Sequence, residues 1–326
     1  MNLSDISVSF ISLYDEFIDY LLENKKINRS KISKPTKLGE KIIDNNLSKI
    51  RFSEFIKYFE YVIRNRFPEE ILHNFDDNLS DLRIYSTYFQ LADIMKKLSK
   101  YAGKYSATKN IIVINFKDKD LFYSIYHELF HMASTDRMIT DRIQTGFFVY
   151  KNGIKTGNGL NEGYTDLLAH RYFGDVGSII GYPLEYQYAK VLEQIVGQEK
   201  MEKFYMTSNP GALVRELGKY DSEDNIMYFI RAIDNIYNPD DNIIVKRNII
   251  ENITKSLIQW FIRKTIMNGE NIFDPIVRRN VISFAWQIPA RVVNTDSSYI
   301  DIDINSIIDQ VVDEIYGQNR NNYPIR

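Results

Sequence analysis

The sequence predicts an α+β fold in which helices predominate. In most of the chain, and almost throughout from residue 181 onward, apolar side chains recur at the spacing of a helix. Two features of the middle third predict a small β-sheet. One is the apolar run Ile111–Phe116, and the other is Lys151-Asn152-Gly153 between the strand-like runs 146–150 and 154–156. Asn-Gly between two such runs is a strong signal for a β-hairpin.

Three helices are predicted in the N-terminal region. Apolar residues recur at helical spacing in 5–24, 50–66 and 81–101. The segment 24–40 carries six basic residues and is interpreted as a solvated connector rather than a patch for an acidic partner. His73 lies in a polar stretch between two of the helices and is interpreted as a surface residue.

The run Ile111–Phe116 allows two interpretations. As an edge strand, it could bind an extended peptide through main-chain hydrogen bonds. As an ordinary buried strand, it would only support the core. Beyond it, the clearest helical segments of the C-terminal half are 186–196, 210–217, 224–237, 243–267 and 302–315.

Three regions are predicted along the chain. Residues 1–104 form an N-terminal helical region, residues 105–180 a central core, and residues 181–326 a helical C-terminal domain that forms the other wall of a cleft. The segment Gly174–Tyr182 is the best candidate for a hinge or boundary, because it contains three glycines and Pro183 follows it.

Composition excludes several classes of protein. The net charge of −2 gives no general attraction to nucleic acid or to an anionic membrane. No run of apolar residues is long enough to span a bilayer, and the N-terminus lacks the basic start of a signal peptide. The chain has no cysteine, which excludes disulfides, thiolate ligands and a cysteine nucleophile. We therefore expect a cytoplasmic protein. Export by a route that needs no signal peptide stays open, and the sequence does not predict the oligomeric state.

The string His127-Glu128-Leu129-Phe130-His131 predicts a metal site. Residues four apart lie on one face of a helix, so both imidazoles can reach one ion, and Glu128 projects beside them. In a chain with four histidines, such a string should arise by chance on the order of 0.003 times. A predicted strand and a polar break with aspartates at 117–120 come before it, as expected of a helix that begins there.

A third ligand is predicted downstream. Residues 132–140 contain no histidine, whereas Glu162 lies 31 residues beyond His131 at the start of a second predicted helix that Gly174 ends. Two histidines and one glutamate leave a fourth position open for water, as a catalytic zinc site requires. Asp166, one turn beyond Glu162, can accept the free ring N–H of a ligating histidine. His170 continues this polar stripe.

These two motifs resemble those of the gluzincin metallopeptidases, which include thermolysin-like enzymes and the zinc aminopeptidases. The resemblance rests on the string 127–131 and on Asn161-Glu162-x-x-Thr165-Asp166, within the stretch 127–172. The chain lacks the Gly-Ala-Met-Glu-Asn string of the zinc aminopeptidases, and it has no histidine after position 170, unlike thermolysin-like enzymes.

The resemblance implies a zincin-like catalytic core around a zinc ion. Glu128 would be the general base, and Asp166 and Asn161 would support the ligands. The implied zinc ligands are His127, His131 and Glu162.

We therefore expect a zinc-dependent peptidase that hydrolyses a peptide or protein substrate with a water activated by zinc. The transition state needs a second electrophile, and Tyr228 is the candidate, although the plainer interpretation of a tyrosine there is a core residue. Two alternatives remain open at this point. They are a zinc hydrolase of a non-peptide substrate and a non-catalytic, regulatory or interaction protein that binds zinc. A protease exported as a toxin or effector is a further possibility, for which the sequence offers no secretion signal.

Overall fold

The computed structural model describes residues 45–87, 103–115, 121–174, 181–236, 242–293 and 299–320. The predicted helix 5–24, the connector 24–40 and residues 88–101 of the third predicted helix lie outside these ranges.

Helices make up most of the described residues, and the strands are short, as an α+β protein with predominant helices requires. The helices are α1 (Asn45–Arg66), α2 (His73–Leu79), α3 (Leu121–Ala133), α4 (Asn158–Phe173), α5 (Pro183–Val196), α6 (Gln198–Met206), α7 (Pro210–Leu217), α8 (Glu223–Asp234), α9 (Ile243–Met267), α10 (Pro275–Ala285) and α11 (Ile304–Arg320). The strands are β1 (Arg83–Thr87), β2 (Gly103–Ser106), β3 (Ile111–Asn115), β4 (Thr135–Asp136), β5 (Ile143–Thr145), β6 (Phe148–Lys151), β7 (Ile154–Thr156), β8 (Arg291–Val293) and β9 (Tyr299–Asp301).

The described residues form two compact units. The first comprises the described residues up to Thr145 together with Thr165–Gly181, and the second comprises Gly146–Tyr164 and the described residues from Tyr182 onward. α4 is one continuous helix that contributes residues to both. The three-region division expected from the sequence, and the cleft expected with it, stay predictions.

A three-stranded sheet in the first unit has β3 at its centre. β3 pairs in parallel with β1 and antiparallel with β2, and Ile112 and Ile114 are fully buried. Because β3 has a strand on both sides, the buried-strand interpretation is confirmed and the edge-strand interpretation is wrong. β2 and β3 pack against α3.

The predicted helix 81–101 is wrong at its start, because residues 83–87 form strand β1. The Arg83 N–H donates to the carbonyl of Asn110, whose φ of +51° turns the chain into β3. Pairing with a strand 28 residues further on (Arg83 with Ile111) thus overrides the local helical pattern.

An aromatic core joins the helices of the first unit. The Phe59 ring of α1 lies 6.0 Å from Phe75, 5.1 Å from Phe130 and 5.4 Å from Phe173, measured between ring centroids. The rings of Tyr126 and Phe173 stack at 4.0 Å. Phe59 is fully buried, so this cluster fixes α3 against α1 and the end of α4.

In the second unit, the predicted hairpin is confirmed. β6 and β7 pair antiparallel around a two-residue turn, with Lys151 opposite Ile154. Asn152 and Gly153 have φ of +52° and +81°, the positive values that a type I′ turn requires.

The helices of the second unit surround α9, which contacts α5, α8, α10 and α11. Trp260 of α9 is fully buried against Phe229 of α8, and its indole N–H donates to Asp221 at 3.0 Å. Several helices begin at residues whose side chains accept amide hydrogen bonds from the first turn, as good N-caps do. These N-caps are Asn209, Ser222, Asn242 and Asp274.

Within the described ranges, no helix has the length and apolar character that crossing a membrane demands.

Phe59→Ala should lower the free energy of unfolding by about 3–5 kcal/mol, because it removes the ring at the centre of the aromatic core. Denaturant-induced unfolding measures this loss. Tyr61→Ala, on the same helix but 38% exposed, is the control and should cost much less. Equal losses in the two variants would contradict the proposed core.

Candidate metal centre

The helix α3 is buried at every position from 123 to 133. Three imidazole or carboxylate side chains lie within this buried stretch: His127, Glu128 and His131 are each only 7% exposed. Burying polar groups is costly unless other polar groups or an ion satisfy them. The contacts of these three side chains therefore define the site.

Two imidazoles of α3 converge with one carboxylate of α4. The Nε2 atoms of His127 and His131 are 3.0 Å apart. One ligand atom of each of His127, His131 and Glu162 lies within 4.8 Å of the others. Zinc binds histidine nitrogen and carboxylate oxygen at about 2.0–2.2 Å, so small side-chain adjustments could close this group on a single ion.

Asp166 orients the first of the two imidazoles. Its Oδ1 atom lies 2.7 Å from Nδ1 of His127, and the carboxylate is almost fully buried. An ionised carboxylate can only accept, and opposite one Nδ1 of His127 would donate and Nε2 would present its lone pair on the side of His131. On the same helix, Thr165 places its hydroxyl 3.5 Å from Nδ1 of His131.

A layer of hydrogen bonds holds the C-terminal end of α3, where His131 lies. The Thr135 hydroxyl donates to the carbonyl of His131 at 2.7 Å. The Asn78 side chain of α2 donates to the carbonyls of Met132 and Thr135 at 2.8 and 2.7 Å. The Asn110 side chain donates in turn to the Asn78 carbonyl. Sequence reasoning missed this network, because no local pattern identifies an asparagine that serves a distant helix.

Glu128 lies against strand β2 at a glycine. A Cβ atom added to Gly103 would be 2.8 Å from Cγ of Glu128 and 3.1 Å from its Oε1. Two residues on, the Tyr105 hydroxyl donates to Asn110 at 3.0 Å, and burial raises the pKa of Tyr105 to about 12. β2 thus runs along α3, and its bare backbone at Gly103 leaves room for the Glu128 side chain.

Near its start, α4 packs closely against Glu185 at a glycine. A Cβ added to Gly163, the residue after Glu162, would lie 2.3 Å from the main-chain carbonyl of Glu185. Asn161 is buried, and its Oδ1 accepts the N–H of Phe147 at 3.0 Å. This hydrogen bond of Asn161 therefore connects α4 to Phe147, the residue before β6.

The other predicted polar residues lie outside this group. Tyr228 is on α8, is 54% exposed, and its hydroxyl accepts from the Asn252 side chain at 3.3 Å. His170 is in the last turn of α4, which ends at Phe173 with Gly174 next, as the sequence predicts. His73, at the start of α2, is exposed.

Comparisons of the chain with family models, with curated proteins and with solved structures found no match.

Asp166→Ala should weaken zinc binding about 10- to 100-fold, because it removes the acceptor that fixes the tautomer of His127. Competition with a chromogenic chelator measures the affinity. Asp166→Asn keeps one acceptor oxygen and should lose less, while Asp309→Ala removes an exposed carboxylate of α11 and should change nothing. Wild-type affinity in Asp166→Ala would refute the orienting role.

Proposed function

We propose that this protein is a zinc-dependent metallopeptidase. The observation that carries the proposal is the convergence of His127, His131 and Glu162 in a buried group, with Glu128 next to the first ligand in sequence. The donor set of two imidazoles and one carboxylate suits zinc and leaves a fourth coordination position.

Three features support the fit of a zinc ion to these residues. First, Nε2 of His127 lies 3.0 Å from Nε2 of His131, so one cation between the rings could bind both nitrogens. Second, Asp166 gives His127 the tautomer that a metal ligand needs. Third, the chain has no cysteine, so histidine and carboxylate are its natural zinc ligands.

A bound zinc ion would supply Lewis acidity, which lowers the pKa of a coordinated water toward neutrality. In our proposal Glu128 would accept a proton from the attacking water and would donate it to the leaving amine. Its position against Gly103 of β2 keeps the carboxylate on the side of α3 next to the sheet. Tyr228 stays the predicted second electrophile.

The choice of a peptide bond as substrate rests on the resemblance to the gluzincin metallopeptidases. The two motifs of that group recur here as the string 127–131 and the string 161–166. Hydrolysis of a non-peptide substrate would use the same residues, and a non-catalytic zinc protein would bind zinc without needing Glu128. Both alternatives are outcomes of the following experiment.

Glu128→Gln should abolish peptide hydrolysis, with a loss of at least about 10²–10⁴-fold, because it removes the general base but keeps the shape of the side chain. Cleavage of a diverse peptide library, beside zinc content, compares the variant with the wild type. We expect equal zinc content in both. Zinc binding without cleavage by the wild type would point to one of the two alternatives, and full activity of Glu128→Gln would refute the general-base role.

Gly103→Ala should lower hydrolysis about 100-fold, because the new methyl group would push the Glu128 carboxylate out of place, and displacements of about 1 Å can cost that much. Zinc content should stay at the wild-type level. Gly317→Ala in α11, where an added Cβ meets no atom within 4 Å, is the matched control. Activity of Gly103→Ala equal to that of this control would show that β2 does not position Glu128.

A further inference from the structure

A carboxylate from α8 holds the first turn of α4. The two oxygens of Asp234 accept separate amides: Oδ2 accepts the N–H of Gly157 at 2.8 Å, and Oδ1 accepts the N–H of Gly159 at 2.7 Å. The Asn158 N–H bonds to it as well. α4 begins at Asn158, so these are amides that a helix leaves without partners inside itself.

The first turn of α4 also packs closely against α8 at a glycine. A Cβ added to Gly159 would lie 2.9 Å from the main-chain carbonyl of Ile233, the residue before Asp234. Gly157 has φ of +79°, and a Cβ there would lie 2.3 Å from the carbonyl of Phe147. The backbone of α4 is therefore fixed at this end by close packing as well as by hydrogen bonds.

Burying the Asp234 carboxylate costs free energy that burying a neutral capping residue would not. Burial raises the pKa of Asp234, while its bonds to the backbone N–H groups of Gly159, Gly157 and Asn158 act in the opposite direction. A serine would be less costly to bury, but it has one oxygen. The carboxylate has two, so it can fix the chain on both sides of Asn158 at once.

The metal ligand Glu162 lies three residues beyond Gly159 on the same helix. At a rise of about 1.5 Å per residue, its Cα is about 4.5 Å along the axis from the residue that Asp234 holds. Metal sites tolerate only about 0.2 Å of error in their ligand distances. A shift of the first turn would therefore move the Glu162 carboxylate relative to the two imidazoles of α3.

We propose that Asp234 is a positioning residue for Glu162: by capping the first turn of α4 with both oxygens, it sets the place of the third metal ligand. The inference rests on the metal centre proposed above. It adds a determinant of metal affinity that contacts neither the ion nor a ligand side chain.

The test measures zinc affinity in Asp234→Ala and Asp234→Asn by competition with a chelator, with zinc alone as the probe. Asp234→Ala should lose about 10-fold or more in zinc affinity, as expected for residues that orient ligands from behind. Asp234→Asn keeps one acceptor oxygen, so its affinity should fall between those of Asp234→Ala and the wild type. Hydrogen exchange should accelerate at the amides of the first turn of α4 in the same order.

Asp274→Ala is the matched control, because Asp274 caps α10 through the N–H groups of Ile276 and Val277 at 2.8 and 3.3 Å. It should lower the melting temperature without changing zinc affinity. Wild-type affinity in Asp234→Ala, or an equal loss in Asp274→Ala, would overturn the positioning role. Failure of the wild type itself to bind zinc would instead overturn the metal centre, which separates the two failures.

Discussion

The approach of two imidazole nitrogens to 3.0 Å inside a buried helix is the constraint on which the rest of the site depends. At this distance the two nitrogens can share a hydrogen bond or present lone pairs to one cation, depending on which ring atoms carry protons. Asp166 favours a lone pair on Nε2 of His127, because its carboxylate can accept a proton that the far ring nitrogen carries. The carboxylate of Glu162 is the third side chain of the group and adds a negative charge to it.

Because α3 is buried, its polar side chains and carbonyls need hydrogen-bond partners from the protein. α3 has no exposed face over residues 123–133, so each polar atom on it needs a partner from a neighbouring element. Strand β2 contributes a glycine where Glu128 needs space. α2 contributes Asn78 where the last carbonyls of α3 need donors. The three-stranded sheet and the short helix α2 thus support one helix, α3.

The part of the site that could be predicted from the sequence is the part that depends on local periodicity. Residues four apart on a helix share a face whatever surrounds them, so sequence spacing alone was enough to place the pair 127 and 131 and the pair 162 and 166. The Asn-Gly hairpin was equally local. Strand β1 could not be predicted from local sequence, because residues 83–87 form a strand only through pairing with β3. Gly103, Asn78 and Asp234 were missed for a related reason: each acts on a segment far away in sequence, and nothing in its own surroundings reveals the partner.

The two ligand helices are fixed at opposite ends, and each end receives the chemical group that its dipole favours. At the C-terminal end of α3, where unpaired carbonyls concentrate negative charge, the support comes from the amide donor of Asn78. At the N-terminal end of α4, where unpaired amides concentrate positive charge, it comes from the carboxylate of Asp234. His131 is in the last turn of the first helix, and Glu162 follows the first turn of the second. The candidate ligands therefore lie near helix ends, where helices fray most easily, so a metal site there would need a cap as much as it would need a ligand.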